Sequence, residues 1–135
     1  MLHSVHHIAI ICSDYQISKS FYTQVLGLEV INETYRKERK SYKLDLALNG
    51  TYVVELFSFP NPPKRTSRPE GCGLRHLAFA VENINTIVKH CELHEIEVEP
   101  IRIDEITVKK FTFIADPDDL PIEFCEREGM VFTSL

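Results

Sequence analysis

The chain has 135 residues and a formal charge of −5, enough for one ordinary domain and too acidic for a dedicated nucleic-acid binder, whose surface is normally basic. Hydrophobic residues make up 44% of it, so a real core can form, yet no stretch approaches the roughly 18 apolar residues a membrane span needs. The opening residues lack the charged-then-apolar order of a secretion signal, and the expectation is a cytoplasmic protein with neither membrane nor nucleic-acid partners.

Residues 5–12 (VHHIAIIC) form a short β-branched run that reads as a buried strand. Ser13 offers an N-cap with Gln16 completing a capping-box pattern, and Ile17, Phe21, Tyr22, Val25 and Leu26 follow at helical spacing until Gly27 stops the helix. Strands are expected near 28–35 and 43–48, separated by a charged turn. Asn49-Gly50 is a strong hairpin signal into the next strand, YVVELFSF. Residues 60–71 hold four prolines and no apolar period, which reads as a linker.

The pattern then starts again. Strand 74–81 (LRHLAFAV) resembles 5–12, and a helix carries Ile84, Ile87, Val88 and Cys91 on one face. Strands near 96–103 and 108–115, the turn ADPDD and a last strand LPIEFCE follow. His7-Ile8-Ala9-Ile10 aligns with His76-Leu77-Ala78-Phe79 at an offset of 69, and Val54-Glu55-Leu56 with Ile122-Glu123-Phe124 at an offset of 68. The expected class is α+β, with two tandem βαβββ modules forming an open cup-shaped mixed sheet and the helices on its outer face. Module one spans about 4–60, the linker 60–71 and module two about 72–128, within a single domain of residues 1–135.

Side chains alternate along a strand, so His7 shares a face with Ala9, and His76 with Ala78, leaving room above the sheet. Glu55 and Glu123 interrupt apolar strands, where an unpaired carboxylate costs several kcal/mol, on the order of other buried-ion penalties. Such a residue must face solvent, meet a cation or be protonated. One histidine and one glutamate recurring at equivalent places in both halves make His7, Glu55, His76 and Glu123 the candidate ligands of a single divalent metal, brought together by pseudo-twofold symmetry. Imidazole and carboxylate together suit Ni, Zn or Co, and also Mn or Fe(II). Each residue taken alone has a blander reading, a hydrogen-bonded core histidine or a solvated glutamate; the recurrence is what favours the metal.

VHHIAIICSDYQISKSFYTQVLGLEV, VVELFSFP, GLRHLAFAV and FIADPDDLPIEF resemble the vicinal oxygen chelate superfamily, the group of glyoxalases, bleomycin-resistance proteins and extradiol dioxygenases. The resemblance implies paired βαβββ modules around a metal, with ligands at His7, Glu55, His76 and Glu123, a set most like that of glyoxalase I. It further implies a lyase or isomerase acting on a small-molecule substrate with vicinal oxygens through an enediolate. By analogy Glu123 is the catalytic base and Glu55 its symmetric counterpart. Other metal-dependent enzymes of the superfamily (an epimerase or an Fe(II) dioxygenase) and a non-catalytic drug-binding cup are the alternatives. A homodimer is expected on the same ground. Two departures stand out: Asp119 replaces the glycine of the usual Asp-Pro-Asp-Gly turn, and Ile11 stands where bacterial glyoxalase I usually places an arginine for glutathione.

Phe57 and Phe59 share the face of Glu55 and are candidate substrate-binding walls, with core packing an equal prospect. Lys109 is a weaker candidate for an anionic substrate. The basic run 35–43 reads as a solvated hairpin, His90 and His94 as surface residues, His6 as a structural residue pointing away from the site, and the four scattered cysteines as reduced and mostly buried thiols.

Overall fold

The computed structural model describes residues 1–127, which divide into two compact units, Met1–Arg65 and Thr66 onward. Each contains one four-stranded mixed sheet. In the first, β1 (Ile8–Cys12), α1 (Tyr15–Ser20), β2 (Glu29–Arg36), β3 (Ser41–Leu48) and β4 (Thr51–Ser58) follow in chain order. In the second come β5 (Leu77–Val81), α2 (Ile84–Leu93), β6 (Arg102–Ile103), β7 (Lys110–Ala115) and β8 (Pro121–Glu126). The sheet orders β1-β4-β3-β2 and β5-β8-β7-β6 are the same, with the first pair parallel and the others antiparallel. Both halves are thus βαβββ units, as the repeat requires.

In the first unit, Ile10, Cys12, Leu44, Leu46, Val54 and Leu56 are buried on one side of the sheet, while Ile11 stays 55% exposed on the other. The helix covers the buried side with Tyr15, Ser18, Phe21, Tyr22 and Val25. Ile17, expected among the packed residues, lies off that face and is exposed. The N-cap is Asp14 rather than Ser13: its carboxylate accepts from the Ile17 N–H at 3.2 Å. After Ser20 the helix widens into a π-helical turn over Phe21–Val25, and Gly27 ends it with φ +73°. The same helix is pinned to β2, because Tyr15 O–H and Lys19 Nζ (2.7 Å) both donate to Glu33 Oε2.

Lys19 first, and then Tyr15, hold the Glu33 carboxyl below its ordinary value. A carboxylate with a depressed folded pKa contributes stability above its unfolded pKa, and that contribution is lost as pH falls through the lower, folded value. Urea denaturation should therefore show the wild type more stable than Glu33→Gln at pH 7. The difference should close below the ordinary glutamate pKa of about 4.3.

Asn49 (φ +50°) and Gly50 (φ +81°) form the expected two-residue hairpin turn. The register then slips by one residue between Leu46 and Ala47, which sets Asp45 opposite Glu55. In the second unit, Asn83 caps α2 by accepting from Asn85 N–H (2.9 Å) and Thr86 N–H (3.4 Å). The strand expected near 96–103 is regular only at Arg102–Ile103, although Glu99 N–H still donates to the Phe113 carbonyl at 3.0 Å. Asp119 takes the left-handed conformation, φ +68°, where a glycine would be unstrained. Arg68 grips its carboxylate at 2.8 and 2.6 Å, and Asp116 Oδ1 accepts from the N–H groups of Asp118 and Leu120. No helix among the described residues is long and apolar enough to cross a membrane. The cysteines are free thiols; Cys12 and Cys91 are buried, Cys125 is half-buried and Cys72 is exposed.

Candidate functional site

Each unit brings its predicted histidine and glutamate together. His7 Nε2 lies 3.6 Å from Glu55 Oε2, and His76 Nε2 lies 3.4 Å from Glu123 Oε1. The registers explain why: β1 runs beside β4 with Ala9 opposite Glu55, and β5 beside β8 with Ala78 opposite Glu123. Neither alanine obstructs the carboxylate, and each histidine stands one residue ahead of its strand, which begins at Ile8 or Leu77 rather than at Val5 or Leu74. The side chains are 34% and 15% exposed in the first pair and 27% and 20% in the second, open to solvent yet partly walled.

These separations are longer than a good hydrogen bond and compatible with two donors sharing one ion. Good N–H···O bonds close to about 2.7–3.2 Å. Two donors on one ion at about 2.1 Å, subtending a tetrahedral angle, stand about 3.4 Å apart. Imidazole with carboxylate is also a suitable donor chemistry. Within each unit the donors come as pairs: among the described residues no three His, Cys, Asp or Glu side chains gather as a ligand group.

The two pairs have different surroundings. In the first unit the residue facing Glu55 across the sheet is Asp45, buried and clasped by Lys43 Nζ at 2.8 and 3.0 Å. The Tyr52 hydroxyl stands 2.8 Å from Asp45 Oδ1 and 2.7 Å from Glu55 Oε2, and its single proton can serve only one of them at a time. Burial, then Glu55 and Asp45, push the Tyr52 phenol well up, so it stays a donor. Burial alone would raise the Asp45 carboxyl; Lys43 and Tyr52 more than offset it and hold it low. Lys43 Nζ also lies 3.6 Å from Glu55 Oε2. The basic run 35–43 is thus not wholly a solvated hairpin, since its last lysine turns into the site.

His6 does not point away, as expected, but towards the same place: its Nδ1 is 2.8 Å from His7 Nδ1 and its ring is 5.2 Å from that of Tyr52. With His7 as the donor in that contact, its Nε2 keeps the lone pair a metal requires. Phe57 and Phe59 stack at 5.7 Å on the Glu55 side of β4, with the Arg36 guanidinium 4.9 Å from the Phe57 ring centre. Both are half-buried and lie outside the buried core of this unit.

In the second unit the residue facing Glu123 is Phe113, whose ring meets His76 edge-on at 5.2 Å. His76, Glu123 and Phe113 line a cleft of about 520 Å³ that also takes in Lys109. Arg75 Nη1 lies 3.0 Å from His76 Nδ1. A guanidinium can only donate, so a neutral His76 carries its proton on Nε2, directed at Glu123. For Nε2 to bind a metal, that proton must move to Nδ1 and Arg75 must withdraw. Burial, then Glu123, push the Cys125 thiol up, so it remains a thiol beside the carboxylate.

Residues 4–124 match the Glyoxalase/Bleomycin resistance protein/Dioxygenase superfamily. The chain belongs to that superfamily. It is 63% identical over 129 residues to the uncharacterized protein YwkD of Bacillus subtilis (strain 168), covering 94% of this chain and 99% of that one. It is 58% identical over 126 residues to the uncharacterized protein YaeR of Escherichia coli (strain K12), covering 93% and 98%. Among solved structures, the glyoxalase family protein from Enterococcus faecalis is similar, with a TM-score of 0.84 and 46% identity over 91% of this chain and 97% of that one. Members of the superfamily are often enzymes and often bind divalent metals.

Proposed function

We propose that the chain is a metal-dependent lyase or isomerase of the glyoxalase I type, acting on a small substrate with two neighbouring oxygens. The observation that carries this reading is the His–Glu pair repeated at equivalent places in both units, with separations of 3.6 and 3.4 Å. His7, Glu55, His76 and Glu123 would hold one divalent ion, with Ni, Zn or Co suiting the donors best and Mn or Fe(II) also compatible. Such an ion supplies Lewis acidity that makes a substrate α-proton more acidic.

The chain's residues divide the remaining work. Glu123 takes the proton from one carbon, leaving an enediolate, and returns it to the neighbouring carbon, while the hydroxyl proton passes to the former carbonyl oxygen, so that atoms and charge balance within the substrate. Glu55 is anchored by Tyr52 and serves as a fixed ligand. Phe57 and Phe59 exclude water beside it. Ile11, 55% exposed on the same side of the sheet as Glu55, offers no charge to a glutathione carboxylate, which favours a substrate other than a glutathione adduct.

The test is incubation of the protein loaded with Ni, Zn or Co with small α-hydroxycarbonyl compounds in deuterated water, alongside a hemithioacetal isomerisation assay. Metal-dependent deuterium incorporation at the α-carbon supports the proposal. Its absence with every metal, in both assays, would count against it.

A further inference from the structure

The cleft beside His76 and Glu123 carries a slight excess of basic residues in a chain whose net charge is −5. Arg75, Arg102, Lys109 and Lys110 all line it, against Asp104, Glu123 and Glu126. The acids are already engaged by their own surroundings. Asp104 Oδ1 accepts from the N–H groups of Ile106 and Thr107 at 2.8 and 2.9 Å, closing its own turn. Glu126 Oε2 accepts from Ile84 N–H at 3.1 Å, at the start of α2. Glu123 faces His76.

Arg102 is held differently. Its guanidinium lies 5.1 Å from the centre of the Phe111 ring and 5.4 Å from that of Phe113. A guanidinium carries five N–H donors, and contact with aromatic rings leaves them available to other partners. One such partner is Glu99 Oε1 at 3.3 Å, a pair about half exposed on both sides (52% and 53%) and therefore weak. A guanidinium seated against two aromatic rings, with Lys109 and Lys110 lining the same cleft, is suited to a phosphate or carboxylate. The cleft volume, about 520 Å³, falls in the range of small-molecule sites and exceeds what a bare three-carbon compound would fill.

We propose that this cleft seats an anionic group, phosphate or carboxylate, borne by the substrate, with Arg102 as the principal donor and Lys109 and Lys110 as flanking charges. Its role as a substrate subsite rests on the function proposed above; the anion binding itself does not. The substrate class becomes an α-hydroxycarbonyl compound extended by a phosphate or carboxylate.

The test uses metal-free protein titrated separately with inorganic phosphate and with glycolate. NMR follows the Arg102 Nε–H and the backbone amides of residues 109–111. Saturable shifts are expected with at least one probe. Arg102→Ala should weaken that binding roughly tenfold, and Arg102→Lys, which keeps the charge and loses the fork, should also weaken it. Lys89→Gln, on the exposed side of α2, should leave it unchanged. Saturation by phosphate alone assigns a phosphate, by glycolate alone a carboxylate, and by both the shared anion chemistry. No saturation with either probe, or saturation untouched by Arg102→Ala, overturns the proposal. The metal content of Arg102→Ala, measured in parallel, separates the two readings: a variant that loads metal normally yet shows no change in anion binding sinks the subsite and spares the enzyme.

Discussion

Glu123→Gln is expected to lower turnover by roughly 10²- to 10⁴-fold, the span that a positioned general base contributes. Glu55→Gln is expected to act mainly by weakening metal retention. The difference follows from what faces each carboxylate across its sheet. Glu55 looks at Asp45 and is tied by the Tyr52 hydroxyl at 2.7 Å, with Lys43 Nζ at 3.6 Å, so its lone pairs are partly committed and its position fixed. Glu123 looks at the apolar ring of Phe113, with His76 at 3.4 Å. A carboxylate walled by an aromatic ring and opening onto a cleft is better placed to move and to accept a proton. Single-turnover deuterium exchange on metal-loaded variants distinguishes the two. Equal losses of exchange in both variants at equal metal content would contradict the assignment.

The second large effect concerns the sheet that carries the first pair. Leu56→Ala should cost about 2–5 kcal/mol, the usual range for a buried leucine whose site cannot collapse. Leu56 is fully buried on β4, with Ile10 on one side and Leu44 on the other, directly behind the face that presents Glu55. Ile11→Ala, next along β1 on the opposite face, removes a side chain that is 55% exposed and should change stability by only about 0.5 kcal/mol. Urea midpoints read both. A Leu56→Ala loss as small as that of Ile11→Ala would mean the buried and open faces of this sheet have been confused.

The repeat was legible because it lies in element order and in paired polar residues, which need no knowledge of register. Alternation alone also separated Ile10 and Cys12 from Ala9 and Ile11, while both histidines meet their glutamates although each stands one residue ahead of its strand. Register was the harder part. A two-residue turn at Asn49-Gly50, continued without interruption, sets Asp45 opposite Val54 and so on the buried face. The one-residue slip between Leu46 and Ala47 instead turns Asp45 onto the face of Glu55. Asp45, Tyr52 and Lys43 were therefore missed, although a charged residue at position 45 within an apolar strand was itself a hint of such a slip. Arg102 escaped for another reason: the run 96–103 reads as one strand, whereas only Arg102 and Ile103 pair regularly, and the arginine owes its place to two phenylalanines on β7. His6 was misread because strict alternation was extended to residues that precede the strand, where the backbone no longer enforces it.

Metal content per chain is the most direct measurement. After loading with Ni, Zn or Co and exhaustive dialysis, the wild type should retain one ion per chain by elemental analysis. His7→Ala and His76→Ala should each lose it while keeping the wild-type circular dichroism spectrum. Retention of no ion by the wild type, or full retention by either folded histidine variant, would contradict the proposed ligand set.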